Sequence, residues 1–314
     1  MENNIYDLAI LGAGPAGICA AIYATRAKLN TIWLDRKFVQ GGQIVDTYEV
    51  DNYPGLPGIT GLDLGEAMAG HAEKLGLKPK REPVLSVTDE GEIKVIRTKK
   101  NEYHARAVII ACGATHRHLG IPGEEELGGM GVSYCATCDA AFFQEGTVAV
   151  VGGGNVAVED AILLSRTCKK VYLVHRRDEL RAAKSIQEKA VKNDKLHFLW
   201  DTVVEEVNGD GILSSMTVKN VKTGELTTIE ADEDDGMFGV FGFIGTIPNS
   251  KVFEGVIDMD ERGYIKSDEN MHTNIPGVFV AGDVRIKSLR QVVTAAADGA
   301  IAATQAEKYI NENE

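Results

Sequence analysis

Cys135-Ala-Thr-Cys138 is the pair of residues in this chain best placed to do chemistry. Two cysteines at this spacing can close a reversible disulfide or contribute half of a metal site. The pair stands 14 residues ahead of a glycine-rich turn, Gly152-Gly153-Gly154-Asn155-Val156-Ala157. A related turn, Gly12-Ala13-Gly14-Pro15-Ala16-Gly17, opens the chain. Such turns bring backbone amides against the pyrophosphate of a dinucleotide. Two dinucleotide sites and one dithiol point to an electron relay. In it a pyridine nucleotide reduces a flavin, and the flavin reduces a disulfide.

The dithiol has three readings. A structural zinc asks for about four Cys or His ligands, and the sequence holds no second CxxC and no HxxxH; His116 and His118 are nearby but fall in an expected hinge. A coincidental core pair is the second reading, which polar Ser133-Tyr134 and Thr137-Asp139 disfavour. The third, which we adopt, is a redox disulfide at a helix start, where a thiolate is favoured. Asp139 follows the pair directly and can move a proton to a thiolate or to the reduced flavin. It also complements the helix dipole. Cys19, Cys112 and Cys168 are isolated and read as structural.

The elements that must position these residues occur twice, at a constant offset of 140 residues. Residues 7–35 and 147–175 each read as strand, glycine turn, helix, strand. The first glycine makes the turn, the second admits the pyrophosphate, and the third position must be small for helix–strand packing. The second strands end differently. The first ends in Asp35, a carboxylate suited to a ribose 2′-hydroxyl, as in FAD. The second ends in His175-Arg176-Arg177, with Arg181 one turn on. Guanidinium groups suit a 2′-phosphate, as in NADPH.

The chain has 314 residues, enough for two domains. It is 44% apolar and 25% charged, as expected of a globular protein, and its net charge is −13. That charge argues against nucleic acid or an anionic membrane as partner. No apolar run approaches the ~20 residues that span a bilayer. Met1-Glu-Asn-Asn-Ile-Tyr-Asp carries no basic leader, so the cytoplasm is the expected location.

The expected fold is α/β, with two Rossmann-like domains, the NADPH domain inserted into the FAD domain. Residues 1–115 and 245–314 make the FAD domain, and 116–244 the NADPH domain with the dithiol. Two short crossovers near 115–118 and 244–248 form a hinge. A strand at Val278–Asp283 carries a carboxylate at its tip. Leu289–Ala303 reads as a helix whose small-residue face admits a ligand. Asp232-Glu-Asp-Asp235 reads as a solvated turn.

Gly12-Ala-Gly-Pro-Ala-Gly17, Gly41-Gly42-Gln43, Asn52-Tyr-Pro-Gly55, Cys135-Ala-Thr-Cys138-Asp139, Gly152-Gly-Gly-Asn-Val-Ala157, His175-Arg-Arg-Asp-Glu-Leu-Arg181, Gly282-Asp283 and Arg290-Gln291 occur in this order along essentially the whole chain. The set resembles the low-molecular-weight thioredoxin reductases. The resemblance implies a homodimer that passes electrons from NADPH through FAD and the CxxC disulfide to thioredoxin, with a domain rotation between half-reactions. It implies that Cys138 faces the flavin, that Cys135 attacks the substrate disulfide and that Asp139 is the acid. Implied FAD contacts are Gly12, Gly14, Pro15, Ala16, Gly17, Asp35, Gly42, Gln43, Asn52, Val84, Gly282, Asp283, Arg290, Gln291 and Val292. Implied NADPH contacts are Gly152, Gly153, Gly154, Asn155, Ala157, His175, Arg176, Arg177 and Arg181. No metal is implied. Asp35 departs from the longer Glu common in the family but keeps the carboxylate. A related flavin disulfide reductase with another protein acceptor or a ferredoxin-type donor is the alternative. A non-catalytic redox or NADP(H) sensor is the alternative of another class.

Overall fold

The structure, a computed structural model, describes residues 5–47, 50, 52–231 and 238–313, so the acidic stretch Asp232–Asp235 lies outside the described residues. Contacts divide the chain into two units. One comprises Met1–Thr47, Tyr53–Thr115 and Ile247–Glu314; the other comprises Tyr48–Asn52 and His116–Thr246.

The first unit starts with β1 (Ile5–Leu11), α1 (Pro15–Arg26) and β2 (Thr31–Asp35). Next come α2 (Gly61–Lys74), β3 (Lys80–Arg81), β4 (Val84–Asp89), β5 (Lys94–Thr98) and β6 (Glu102–Ile110), and β7 (Ala114–His116) leads out. The second unit holds β8 (Val132–Ser133), the short α3 (Ala136–Asp139), β9 (Thr147–Val151), α4 (Asn155–Leu164), β10 (Lys170–Val174) and α5 (Lys184–Val191). It continues with β11 (Leu196–Leu199), β12 (Thr202–Gly209), β13 (Leu213–Asn220), β14 (Leu226–Glu230) and β15 (Phe238–Gly242). The return strand β16 (Thr246–Pro248) pairs with β7, and β17 (Val278–Val280) and α6 (Val292–Glu312) follow.

In the first unit the sheet runs β3-β2-β1-β6-β5-β4, and β17 also pairs with β6. The long strand β6 serves both neighbours: its start pairs antiparallel with β5, its end parallel with β17. Parallel strands are covered on both faces, which is why Leu8–Leu11 and Val108–Ile110 are unbroken apolar runs. Alternation sends Leu8 and Ile10 to one core, with Ile18, Trp33 and Phe279, and Ala9 and Leu11 to the other, with Ile32, Leu34 and Phe253.

The second unit has a parallel sheet, β11-β10-β9-β15-β8, and a separate antiparallel one, β12-β13-β14. Val148 and Val150 pack with Ala157, Ala161 and Leu173 on one face; Ala149 and Val240 pack with Val204 and Met216 on the other. The Rossmann-like α/β pattern expected from the two glycine turns is thus present twice.

At Gly299 the small-residue face of α6 packs on α1. A Cβ at Gly299 would lie 2.1 Å from the Ala16 carbonyl oxygen, so glycine lets the two helix backbones touch.

Candidate active site

The first turn is built by backbone bonds. Gly12 N donates to Leu34 O (2.8 Å) and Ile18 N to Gly14 O (2.9 Å). Pro15 sits at the start of α1, where its missing N–H costs nothing. No side chain caps α1 and no acidic residue occupies its first turn, leaving the dipole's positive end for an anion. Gly41 N donates to Ala13 O (2.8 Å), which lays Gly41-Gly42-Gln43 across the turn. A Cβ at Gly42 would approach Gly14 Cα to 3.0 Å. Trp33 Nε1 donates to Gly12 O (2.9 Å) from the core side.

Asp35 ends β2 beside this turn. Burial pushes its carboxyl up, opposed by bonds from the backbone of Arg36, Lys37 and Ala13 and by the Arg36 charge. The Gly282–Asp283 turn after β17 is held by Asp298 of α6, which sequence reasoning missed. Asp298 Oδ2 accepts from Gly282 N (3.0 Å), Arg285 Nε (2.9 Å) and Lys287 Nζ (2.7 Å). Burial pushes the Asp298 carboxyl up, but the Arg285 and Lys287 bonds reverse this and leave it low. Asp283 is raised by burial, and Lys287 and Arg290 oppose the shift. Arg290 stacks on Tyr264 at 4.3 Å and reaches Asp283 O at 3.4 Å. Gln291 and Thr294 cap α6 reciprocally, and Val292 is its first residue. Val84 opens β4, half-buried. Asn52 is exposed and falls in the stretch 48–52 that groups with the second unit.

The second turn repeats the first. Gly152 N donates to Val174 O (3.1 Å) and Val158 N to Gly154 O (3.1 Å). Neither a side-chain cap nor an acid occupies the start of α4. Arg181 N and Ala182 N donate to Gly153 O (2.7 and 3.1 Å), and Ala183 N to Asn155 Oδ1 (2.8 Å). His175 lies under this turn. A Cβ at Gly153 would fall 2.3 Å from its ring, which explains the middle glycine. Burial lowers His175, a bond to the Glu179 backbone raises it, and Arg181, Arg177 and Arg176 lower it further. Arg176, Arg177 and Arg181 are exposed. Among the described residues their guanidinium groups have no ion pair, so three cations are free for an anionic ligand.

Cys135 and Cys138 are joined as a disulfide. Their sulfurs are bonded to each other, which fits the redox reading and not the zinc or coincidental ones. Cys135 precedes α3, and its Sγ accepts from Cys138 N (3.2 Å). Ser133, read from sequence as foreign to a core strand, lies in β8 and is buried. Its hydroxyl accepts from Cys135 N (3.1 Å) and donates to Asp139 Oδ2. Burial pushes the Asp139 carboxyl up to about 6, and the Ser133 bond opposes it. Tyr134 donates to buried Glu124, which also accepts from Leu119 N and Gly120 N (both 2.6 Å). His116 stacks on Tyr134 at 5.3 Å. Cys168 is buried, Cys19 is partly so, and burial pushes Cys112 up to about 12.

The residues fit the nucleotides implied by the turns. Among the described residues, four buried side-chain atoms lack a hydrogen-bond partner: Gln43 Oε1, Asp139 Oδ1, His175 Nε2 and Asp283 Oδ1. Buried polar atoms are almost always paired. All four belong to residues singled out from sequence, two per unit.

The comparisons agree. A family model described as pyridine nucleotide-disulphide oxidoreductase matches residues 6–299. The chain is 58% identical over 312 residues to a thioredoxin reductase of Peptoclostridium acidaminophilum, covering 99% of each chain. It is 46% identical to that of Bacillus subtilis, covering 99% of this chain and 96% of the relative. The crystal structure of thioredoxin reductase from Streptococcus pyogenes matches with a TM-score of 0.93 at 43% identity, covering 99% of this chain and 100% of that one. With two pyrophosphate turns, a disulfide and a buried acid beside it, the chain belongs to the thioredoxin reductases of the pyridine nucleotide-disulphide oxidoreductase family.

Proposed function

We propose that this oxidoreductase passes electrons from NADPH through FAD to the Cys135–Cys138 disulfide and on to thioredoxin. The carrying observation is that the orphaned buried atoms fall on Gln43, Asp283, His175 and Asp139. Residues 1–115 and 245–314 would hold FAD, and 116–244 NADPH. FAD, when bound, supplies the two-electron step between NADPH and the disulfide.

The chain's own groups do the rest. The amides at the start of α1 receive the FAD pyrophosphate, and Asp35 receives the adenosine ribose. Gln43 and Asp283 offer their unpaired oxygens to the flavin, with Arg290 beside Asp283. The amides at the start of α4 receive the NADPH pyrophosphate, and Arg176, Arg177 and Arg181 the 2′-phosphate. Asp139 supplies a proton to the opening dithiol. As a thiolate forms nearby, its negative charge raises the Asp139 pKa further, so the acid is protonated when needed. Cys135 then attacks the acceptor disulfide, and Cys138 resolves the mixed disulfide.

Nicotinamide and dithiol belong to one unit in this proposal and take turns at the flavin, with the paired β7 and β16 as hinge. A homodimer in the cytoplasm completes it. Among the described residues no helix is long and apolar enough to cross a membrane.

The test is an anaerobic titration of the flavin band with NADPH. Bleaching at low excess, reversed by oxidised thioredoxin, is expected. Cys138→Ser should keep bleaching by NADPH and lose turnover with thioredoxin. Bleaching by dithionite alone would overturn the donor assignment.

A further inference from the structure

The Ser133 hydroxyl has two neighbours, and together they fix its hydrogen. It accepts from Cys135 N at 3.1 Å, so one lone pair is engaged. Among the described residues the sole acceptor for its own hydrogen is Asp139 Oδ2. Oδ2 is therefore an acceptor in both protonation states of the acid. The other oxygen, Oδ1, is buried without a partner.

We propose that Ser133 is a positioning residue that confines the proton of Asp139 to Oδ1 and leaves Oδ2 to hold the negative charge once the proton has gone. This rests on the acid role given to Asp139 above. Opening the Cys135–Cys138 bond takes two electrons, supplied by NADPH, and two protons to complete two thiols. Asp139 delivers one proton from Oδ1 and becomes a carboxylate; the second comes from solvent. The carboxylate charge is met at Oδ2 by the Ser133 O–H, and solvent later reprotonates Oδ1. The same serine holds the Cys135 amide, so acid and dithiol are anchored to one atom.

The surroundings leave Ser133 without a rival. The 140–143 turn after α3 reads Ala-Ala-Phe-Phe, and β15, which pairs with β8, reads Phe-Gly-Val-Phe-Gly, so neither carries an ionisable group. Helix α4 carries Glu159 and Asp160, yet only burial and Ser133 act on Asp139.

The test uses the FAD-loaded enzyme with Ser133→Ala, Ser133→Thr and Asp139→Asn. The Ser133 bond stabilises the carboxylate, so its loss raises the acid's pKa. Because the bond persists in the protonated acid, only the extra strength of the bond to the charged form counts, roughly 1 pKa unit. Protonated acid is the working form, so the falling alkaline limb of thioredoxin turnover should move up by about that amount in Ser133→Ala. Ser133→Thr should restore it, and NADPH–ferricyanide turnover should be unchanged in both. In infrared spectra recorded below the pKa, the carboxylic C=O band abolished by Asp139→Asn should move to higher frequency in Ser133→Ala, because Oδ2 is the bonded carbonyl. An unmoved limb or an unmoved band, with Asp139→Asn impaired, overturns the proposal alone. Full thioredoxin turnover in Asp139→Asn overturns the acid role and the proposal with it.

Discussion

The two nucleotide turns keep each other's hydrogen bonds at a spacing of 140 residues. Gly12 donates to Leu34 where Gly152 donates to Val174, and Gly41 donates to Ala13 where Arg181 donates to Gly153. The duplication thus extends past the glycine fingerprint to the segment laid across each turn. What differs is the side chains on this shared backbone. The first turn is covered by Gly41-Gly42-Gln43 and flanked by Asp35; the second is covered by Arg181-Ala182-Ala183 and flanked by His175-Arg176-Arg177. One backbone plan has been given two ligand chemistries. Its third position differs as well: glycine at 17, alanine at 157.

The most damaging way to erase that last difference is Gly17→Ala. A Cβ there would lie 1.9 Å from the Gly12 carbonyl oxygen and 2.8 Å from its carbon. Gly12 is held in place on both sides, its N–H by Leu34 O (2.8 Å) and its carbonyl oxygen by Trp33 Nε1 (2.9 Å). We expect the turn to break and FAD content, read as flavin absorbance per protein, to fall to background. Equilibrium dialysis should still show NADPH binding to the second unit. A flavin-replete variant would show that the two turns do not differ in this way.

Those turns were legible because their requirements are local. A glycine under a carbonyl, a carboxylate or arginines at a strand end, and two cysteines at fixed spacing all show in short windows. Asp298 was not legible. It lies within the alanine-rich helical stretch Leu289–Ala303, and only the folded chain brings it to Gly282, sixteen residues earlier. Ser133 was misread for a related reason. A serine suits a core strand only if its hydroxyl has partners, and those are supplied by the turn into α3. Small residues on α6 mark close approach without saying to what; at Gly299 it is the backbone of α1.

The strand ends give the next largest effect. Replacing both Arg176 and Arg177 by Ala removes cations that no acidic side chain neutralises among the described residues. Each charge-assisted bond to a phosphate is worth about 1.5–3 kcal/mol, so the kcat/KM ratio of NADPH to NADH should fall roughly 10- to 150-fold per bond lost. FAD content should not change, since Asp35 serves the other turn. An unchanged cofactor ratio would remove the 2′-phosphate from this strand end and leave the turns alike in ligand chemistry.

Ala157→Gly is the mirror of the first substitution and should be mild. The Ala157 methyl is buried and packs in the core of Val148, Val150 and Ala161. Its removal costs the burial of one methyl, roughly 0.8 kcal/mol, and a glycine in the first turn of α4 adds up to about 1 kcal/mol. The sum is up to about 2 kcal/mol, or a fall of roughly 4–8 °C in the melting temperature of the second unit. Backbone geometry is preserved, because glycine adopts any conformation alanine does, so the affinity for NADPH should hold once the variant is folded. The measurement is a thermal melt followed by a NADPH titration. Loss of NADPH binding in a folded variant would mean that the methyl shapes the turn as well as packing the helix. The asymmetry between positions 17 and 157 would then be a ligand-binding difference. A lower melting temperature with intact binding would locate it in packing alone: a Cβ at position 17 meets the Gly12 carbonyl, while the Ala157 methyl packs in the core of the second unit.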